Sequence, residues 1–385
     1  MRTRSKIAKD KIILVSNIGS ASRKYFVYSV SHRDEEIKEL FNIQFDGKEF
    51  YPKIKLEDAI LEFFEIAKRE YKFSVSDIDI IAERVVAVGD FFLENKIINE
   101  KYFQELEKAK EYDSLHTESL LEELQKIFLI REVCFKKNIK CKFKVVGISD
   151  SAFHNSINKE TYTYAINNIG DSKFRKYGYH GISMSEVANT LNNKYKNVVA
   201  IHLGGGGSVT AIQNSKSVYN SFGMTPVSGL INLTRVGDID PFIVLKIFKN
   251  HKKAFTLLDE GDVAFNRSSE DLYKKGGLYS LTGEKDMRDI LNNLNSKNKE
   301  VKEKNNFALD VYTEKINEYV GSAFAHLGKT DALVLTGAIL EKSEIFRERL
   351  LKKISWLKVK KENILVLGTE EEKEIARLVL EGEFV

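Results

Sequence analysis

The sequence predicts a mixed α/β protein with two cores, and three observations carry that prediction. The chain has 385 residues, 43% of them hydrophobic, more than one core accommodates, since single cores stop growing near roughly 250–300 residues. Apolar stretches of strand length alternate with stretches whose apolar residues recur at helical spacing, the order of an α/β fold. Both halves open with an apolar strand, a turn of small residues and a further hairpin, a weak repeat in architecture though not in residues.

Residues 12–17 read as a buried strand, 19–22 as a tight turn and 24–30 as the returning strand. Ile60, Phe63, Phe64, Ala67 and Tyr71 then share one helical face, with Glu62, Glu65, Lys68 and Arg69 off it. Residues 79–88 alternate like a strand, 118–137 form a long helix, and 142–148 return to strand. A second cycle begins after Asp150. Strand 197–203 runs into Gly204-Gly205-Gly206-Gly207, and strands 208–213 and 217–221 follow, joined at Asn214-Ser215. Helices are expected near 241–249, 287–294 and 308–326, a short strand at 332–335, and helices near 343–353 and 371–380. The Lys-, Glu- and Asn-rich stretch 285–306 reads as a solvated helix and loop.

Composition narrows the class. Lys+Arg 60 against Asp+Glu 56 leaves +4, with both signs mixed along most segments. A nucleic-acid binder would concentrate its cations in a stripe. No apolar run approaches the roughly 18 residues of a membrane span. Behind the basic start, the apolar run 12–15 is shorter than the about 7–15 residues of a secretory segment. A cytoplasmic protein with neither membrane nor nucleic acid as partner is expected. Cys134 and Cys141 match no common zinc spacing and read as thiols in a reducing compartment.

Three segments carry candidate chemistry. The first, Asn17-Ile18-Gly19-Ser20-Ala21-Ser22-Arg23-Lys24, offers backbone N–H groups and hydroxyls suited to a phosphate or a magnesium-bound water, although the same residue types also make an ordinary hairpin turn. In the second, His202-Leu203 and four glycines let a ligand approach the backbone; a flexible linker is the other reading, but linkers rarely sit between two strands. It is not a Walker loop. In the third, Thr234-Arg235-Val236-Gly237-Asp238-Ile239-Asp240-Pro241, an arginine can hold a phosphoryl group bidentately, while Asp238 or Asp240 can cap the helix after Pro241. Glu83-Arg84-Val85-Val86, Asp150 to His154, and Tyr177-Gly178-Tyr179-His180-Gly181 are uninformative singly.

Together and in this order, these segments resemble the acetate kinase family, within the acetate and sugar kinase, Hsp70 and actin superfamily. The resemblance runs from about Ile12 to Leu378 and is most specific over 217–241. It implies two ribonuclease-H-like (actin-like ATPase) domains, an acyl kinase domain of residues 1–150 plus about 371–385 and a nucleotide-binding domain of 151–370, with the active site in an interdomain cleft. It implies reversible transfer of the ATP γ-phosphate to acetate with Mg²⁺ (or Mn²⁺), in a homodimer. By the same resemblance, Asn17, Ser20, Ser22 and Lys24 match the first phosphate and metal region. Arg84 and Arg235 match the arginines on the carboxylate and the phosphoryl group. Asp150 and Glu371 match the acidic residues associated with magnesium and substrate orientation, His180 the histidine on the phosphoryl group, and His116 and His202 further cleft histidines. Val86, Leu115, Pro226 and Tyr179 match the apolar pocket, Tyr179 standing where the family usually has Phe. Gly204 to Gly207 and Gly337-Ala338-Ile339-Leu340-Glu341 match the nucleotide segments. Alternatives in the same chemistry are propionate or butyrate as acceptor and another nucleotide or pyrophosphate as donor; a non-catalytic nucleotide-binding relative is the alternative outside it.

Departures from the family pattern lie mostly on the nucleotide side. Gly205 stands for an Asn, Met184 for the second His of the His-Gly turn, Ala87 for the His after Val-Val, and Ala338 and Leu340 for glycines. The last two side chains are expected to intrude where a base or ribose lies against backbone.

Overall fold

The computed structural model describes residues 10–19, 22–31, 36–46, 55–167, 174–253, 260–382 and 384, with the side chains of Asp46, Leu115, Lys253 and 260–263 outside the description. The chain divides into two compact units. Unit 1 comprises Met1–Asn155, Gly181–Glu186 and Glu370–Val385, and unit 2 comprises Ser156–His180 and Val187–Thr369.

Unit 1 is built on a mixed sheet of β1 (Lys11–Ile18), β2 (Ser22–Ser31), β3 (Glu36–Asp46), β4 (Ile80–Val85), β5 (Lys96–Ile97) and β6 (Lys144–Ser149), in the order β3-β2-β1-β4-β6-β5. β1 to β3 form an antiparallel meander, and β4 and β6 add in parallel. β1 is covered on both faces: Leu14 packs with helices Ala59–Tyr71, Glu100–Lys110 and Ser114–Lys136, while Ile13 and Val15 pack with Ile375 and Val379 of helix Glu371–Glu381. Double burial explains why β1 reads as an unbroken apolar run rather than an alternation.

Unit 2 repeats the order. β7 (Asn197–Leu203), β8 (Gly207–Gln213) and β9 (Lys216–Asn220) form the meander, and β10 (Ala332–Thr336) and β11 (Ile364–Val366) add in parallel, giving β11-β10-β7-β8-β9. The β8–β9 turn takes positive φ at both Asn214 and Ser215, as a two-residue hairpin turn requires. Helix Lys299–Leu327 covers one face with Ala308, Leu309, Tyr312, Ile316, Val320 and Ala323. The two meander-plus-parallel sheets make this a pair of actin-like ATPase domains.

Several elements differ from expectation. β3, helices Glu100–Lys110, Gly181–Leu191 and Glu260–Lys274, and β11 were not foreseen. The strand expected over 79–88 stops at Val85, and Gly89 at φ 135° turns the chain away. The long helix expected over 308–326 begins at Lys299, where Asn298 caps Glu300 and Val301 N–H; its first turns occupy part of the supposed solvated loop. Among the described residues, no helix is long and apolar enough to cross a membrane.

Candidate active site

In unit 1 the charged candidates meet at the C-terminal ends of β1, β4 and β6. Strand alternation sends Glu83 and Arg84 to opposite faces of the sheet. Arg84 donates to Asp150 Oδ2 at 3.2 Å and to Asn17 Oδ1 at 3.4 Å. Asn17 turns its amide nitrogen to helix Glu371–Glu381, donating to Glu372 at 2.8 Å and Glu371 at 3.4 Å. Lys24 pairs with Glu372 at 3.0 Å. Burial alone would lower the pKa of Arg84, but Asp150 and then Glu371 outweigh it and hold the guanidinium firmly charged. Asp150 also accepts from Gly181 N–H at 2.8 Å through its carbonyl, and a Cβ on Gly181 would sit 2.3 Å from that oxygen. That close approach requires glycine after His180.

Behind Arg84 is a second cluster. Glu83 is fully buried, and Glu123, 3% exposed, accepts from the Tyr25 hydroxyl at 2.7 Å. Burial pushes Glu123 up to about 7, and burial with the charge of Glu123 pushes Glu83 well above the carboxylate range.

In unit 2 the candidates converge where β7 ends. His180 takes left-handed φ at 62°, a conformation costly for a side chain with Cβ. Its Nδ1 lies 3.0 Å from Ser208 Oγ, and its ring centroid 4.5 Å from that of His202. A Cβ on Gly206 would stand 3.0 Å from His180 Nε2 and 3.7 Å from Arg235 Nη1, and one on Gly207 2.9 Å from Asn232 Oδ1. The glycine run is therefore a floor for three polar heads, those of His180, Arg235 and Asn232. Gly205, by contrast, faces open space, so the side chain usual in the family is missing without any steric need. Arg235 Nη1 donates to the Pro226 carbonyl at 3.3 Å. Gly337, at φ 84°, brings the end of β10 against the Leu203 backbone, and Thr336 pairs with His202.

Other placements amend the sequence reading. Asp240, not Asp238, caps the helix after Pro241, accepting from Phe242 N–H at 2.8 Å; Asp238 accepts from Gly229 N–H and the Tyr319 hydroxyl. Leu340 is wholly buried and Ile339 is 7% exposed in the unit 2 core, because residues 338–342 form a short helix that turns them inward. The expectation that the Leu340 side chain intrudes on a nucleoside is corrected; of the two replaced glycines Ala338 is the exposed one, and Glu341 accepts from Gly337 N–H at 2.9 Å. His116 lies beside Asp113 at 2.9 Å. Val86 is buried in unit 1, and Tyr179 and Pro226 in unit 2. Ser20 and the Leu115 side chain lie outside the described residues.

Sequence reasoning missed Glu372, Ser183 (which donates to Glu371) and Asn232; Ser208, which ends the glycine-rich segment, was given no role of its own. Asn232 is 1% exposed, and its amide atoms find no partner among the described residues. For Glu372 a signal existed: consecutive acids opening an amphipathic helix, with opposite faces to serve.

The profile of the Acetokinase family matches residues 12–377, a span holding every charged group described above. The chain belongs to the acetokinase family. It is similar to the acetate kinase of Sulfurimonas denitrificans, 31% identical, with 94% of this chain and 90% of that one covered. The acetate kinase of Mycoplasma genitalium is 29% identical, covering 90% of this chain and 86% of that one. Among solved structures, a propionate kinase from Francisella tularensis superposes with TM-score 0.75 at 25% identity over 96% of this chain and 98% of that one. The acetate kinase from Entamoeba histolytica shares the fold, with TM-score 0.72, 24% identity and coverage of 97% and 99%.

Proposed function

We propose that this acetokinase transfers a phosphoryl group reversibly between ATP and a short-chain carboxylate, acetate before propionate. The observation that carries this reading is the family match over residues 12–377, within which Arg84, Asp150, Asn17 and Glu371 form one hydrogen-bonded charged cluster. Phosphoryl transfer asks for positioning and for neutralised charge on the transferring group rather than a covalent nucleophile. A carboxylate acceptor is already ionised at pH 7, so no strong base is needed. Arg84, kept charged by its carboxylates, holds the acceptor, with Val86 at its alkyl end. Arg235 and His180 hold the phosphoryl group, and Lys24, His202, the glycine run and residues 337–341 the nucleotide.

Asp150 and Glu371 both act on Arg84, but no group of three or more His, Cys, Asp and Glu among the described residues forms a metal cage. That donor set fits magnesium, which keeps its waters and takes one or two carboxylates beside substrate phosphates. Bound there, the ion would add positive charge against the phosphates. Asn17, its amide shared among Arg84, Glu371 and Glu372, orients these groups. The protein acts in the cytoplasm as a homodimer.

The test is acyl phosphate formation measured across ATP, GTP and pyrophosphate with acetate, propionate and butyrate. ATP with acetate should give the highest kcat/KM, and propionate should follow by the roughly 1–3 kcal/mol that one methylene commands. No product from any pairing, with ATP still bound in calorimetry, would overturn the enzymatic reading in favour of a nucleotide-binding regulator. Light scattering checks the dimer.

A further inference from the structure

Five of the chain's 60 Lys and Arg residues, and one of its 56 acids, fall within residues 131–142. These twelve residues thus carry +4, the net charge of the whole chain, and 55 cations and 55 anions balance elsewhere. They are the end of helix Ser114–Lys136 and the loop behind it, in unit 1. Left-handed Asn138, with Ile139 N–H returned to the Cys134 carbonyl at 2.9 Å, ends the helix there. Large apolar side chains stand in solvent at the same place: Phe135 is 84% exposed, Leu129 56% and Ile139 45%. These three line a groove of about 760 Å³ whose edge carries Arg131, Lys140 and Lys142 against the single acid Glu132. Singly exposed apolar residues need no explanation, but a contiguous apolar patch edged by cations does, even with Asp58, Glu62 and Glu65 on the adjoining groove beyond Ile139.

We propose that this patch docks peripherally on an anionic lipid bilayer. Phe135, Leu129 and Ile139 enter the boundary between headgroups and acyl chains, and Arg131, Lys136, Lys137, Lys140 and Lys142 meet the lipid phosphates. Apolar area and attraction to anionic headgroups act together in such binding, and long lysine stems reach from an apolar seat to charged groups. Charge excludes a second copy as the occupant, since a patch of +4 repels itself. Nucleic acid is disfavoured because leucine and isoleucine offer no flat ring for base stacking, and Phe135 is the one exposed aromatic of the three. That no helix among the described residues is long and apolar enough to cross a membrane bears on insertion, not on adsorption.

The test is flotation of the purified full chain with vesicles of phosphatidylglycerol in phosphatidylcholine, against vesicles of phosphatidylcholine alone. Binding to the anionic vesicles is expected at low salt, about tenfold or more tighter than to neutral ones. It should be lost near 1 M salt, where the Debye length falls to about 3 Å. Phe135→Ser, and separately Lys136→Gln with Lys137→Gln, Lys140→Gln and Lys142→Gln, should each cut binding about tenfold or more. These side chains are exposed, and unchanged circular dichroism and phosphotransfer in the variants confirm the fold. Equal binding to both vesicle types, binding unaffected by the variants, or no binding at low salt would overturn the proposal. So would capture of single-stranded RNA in place of vesicles. None of these outcomes depends on the reaction catalysed.

Discussion

In unit 1 the candidate groups are charged side chains that hold one another, Arg84 by Asp150 and Asn17, and Asn17 by Glu371 and Glu372. In unit 2 they rest on backbone: Gly206 lies under His180 and Arg235, Gly207 under Asn232, and Gly337 against Leu203. One strand order thus supports two kinds of construction. A charged cluster is broken by removing a partner, because what remains is a buried charge without its counterpart. A glycine floor is broken by adding a carbon, because the neighbours are too close to give way. Substitutions can therefore be chosen to fail in one unit and pass in the other.

The largest effect is expected at Arg235. Arg235→Ala should lower kcat by about 10²–10⁴, the range for a lost transition-state donor or arginine finger. Lysine should restore little, lacking the bidentate fork. Turnover within a few-fold of the unsubstituted protein would show that Arg235 does not touch the transferring group.

Arg84 should fail differently. Its loss leaves Asp150, 1% exposed, without its guanidinium, so Arg84→Ala should cost about 3–5 kcal/mol of stability. It should also raise KM for the carboxylate as well as slow turnover. An unchanged KM for acetate, measured well below the lowered Tm, would remove Arg84 from the acceptor seat.

The buried carboxyls give unit 1 a pH signature. Because the folded pKa of Glu123 is raised from the ordinary 4.5 to about 7, the native state binds more protons than the unfolded one between those values. The contribution of Glu123 to stability therefore falls as pH rises from about 4.5 to about 7 and then levels off, while that of Glu83, raised further, goes on falling. Glu123→Gln should flatten that slope and be the more stable protein at pH 8, by about 1–3 kcal/mol. Urea unfolding at pH 5 and pH 8 tests the sign; a variant less stable than the parent at pH 8 contradicts it.

Two glycines separated by Gly206 give the next contrast. On Gly207 a Cβ meets Asn232 Oδ1 at 2.9 Å and Leu203 Cδ2 at 3.0 Å, whereas on Gly205 it meets nothing within 4 Å. Gly207→Ala should cost about 1–3 kcal/mol of stability. Gly205→Asn should leave Tm in place and tighten the donor by about 0.5–1.5 kcal/mol, one added hydrogen bond. Calorimetric titration of ATP into Gly205→Asn decides it, and unchanged affinity would mean that the loop does not face the donor's phosphates.

Legibility followed the same divide. β1 and β7 were readable because burial on both faces leaves an unbroken apolar run. β3 was not: Glu36, Lys38, Glu39 and Leu40 are exposed, and their charges hide the alternation of Phe41, Ile43 and Phe45 behind them. Helix Glu260–Lys274 was overlooked although its apolar residues are gathered on one face. Arg84, Asp150, Glu371 and Arg235 could be singled out because their segments occur in a set order. Glu372 and Ser183 were not, since only packing brings Asn17 to a carboxylate 355 positions away. Leu340 misled for the converse reason: a glycine position in the family says nothing about a short helix that turns the new side chain into the core.

The smallest effect concerns a hydroxyl that unit 2 has where its family usually has none. Tyr179, 1% exposed, donates to the Met224 carbonyl at 2.6 Å, while Met224 N–H donates to the Tyr164 hydroxyl at 3.1 Å. Both backbone groups of Met224 are thus held by tyrosines. Two residues on, the Pro226 carbonyl receives Arg235, so the tyrosine pair steadies the turn from which Arg235 is aimed. Tyr179→Phe keeps the ring against Phe222 but leaves a carbonyl unpaired, a loss of about 0.5–1.5 kcal/mol. A small fall in Tm is expected, with kcat reduced by less than about tenfold and the carboxylate KM unchanged, because the aromatic ring is retained. Tyr164→Phe should act similarly, and the double variant by less than the sum, since both hydroxyls hold one residue. If kcat were untouched while Tm fell, the hydroxyl would serve the fold alone, and the seat of Arg235 would rest on the glycine floor without help from the turn.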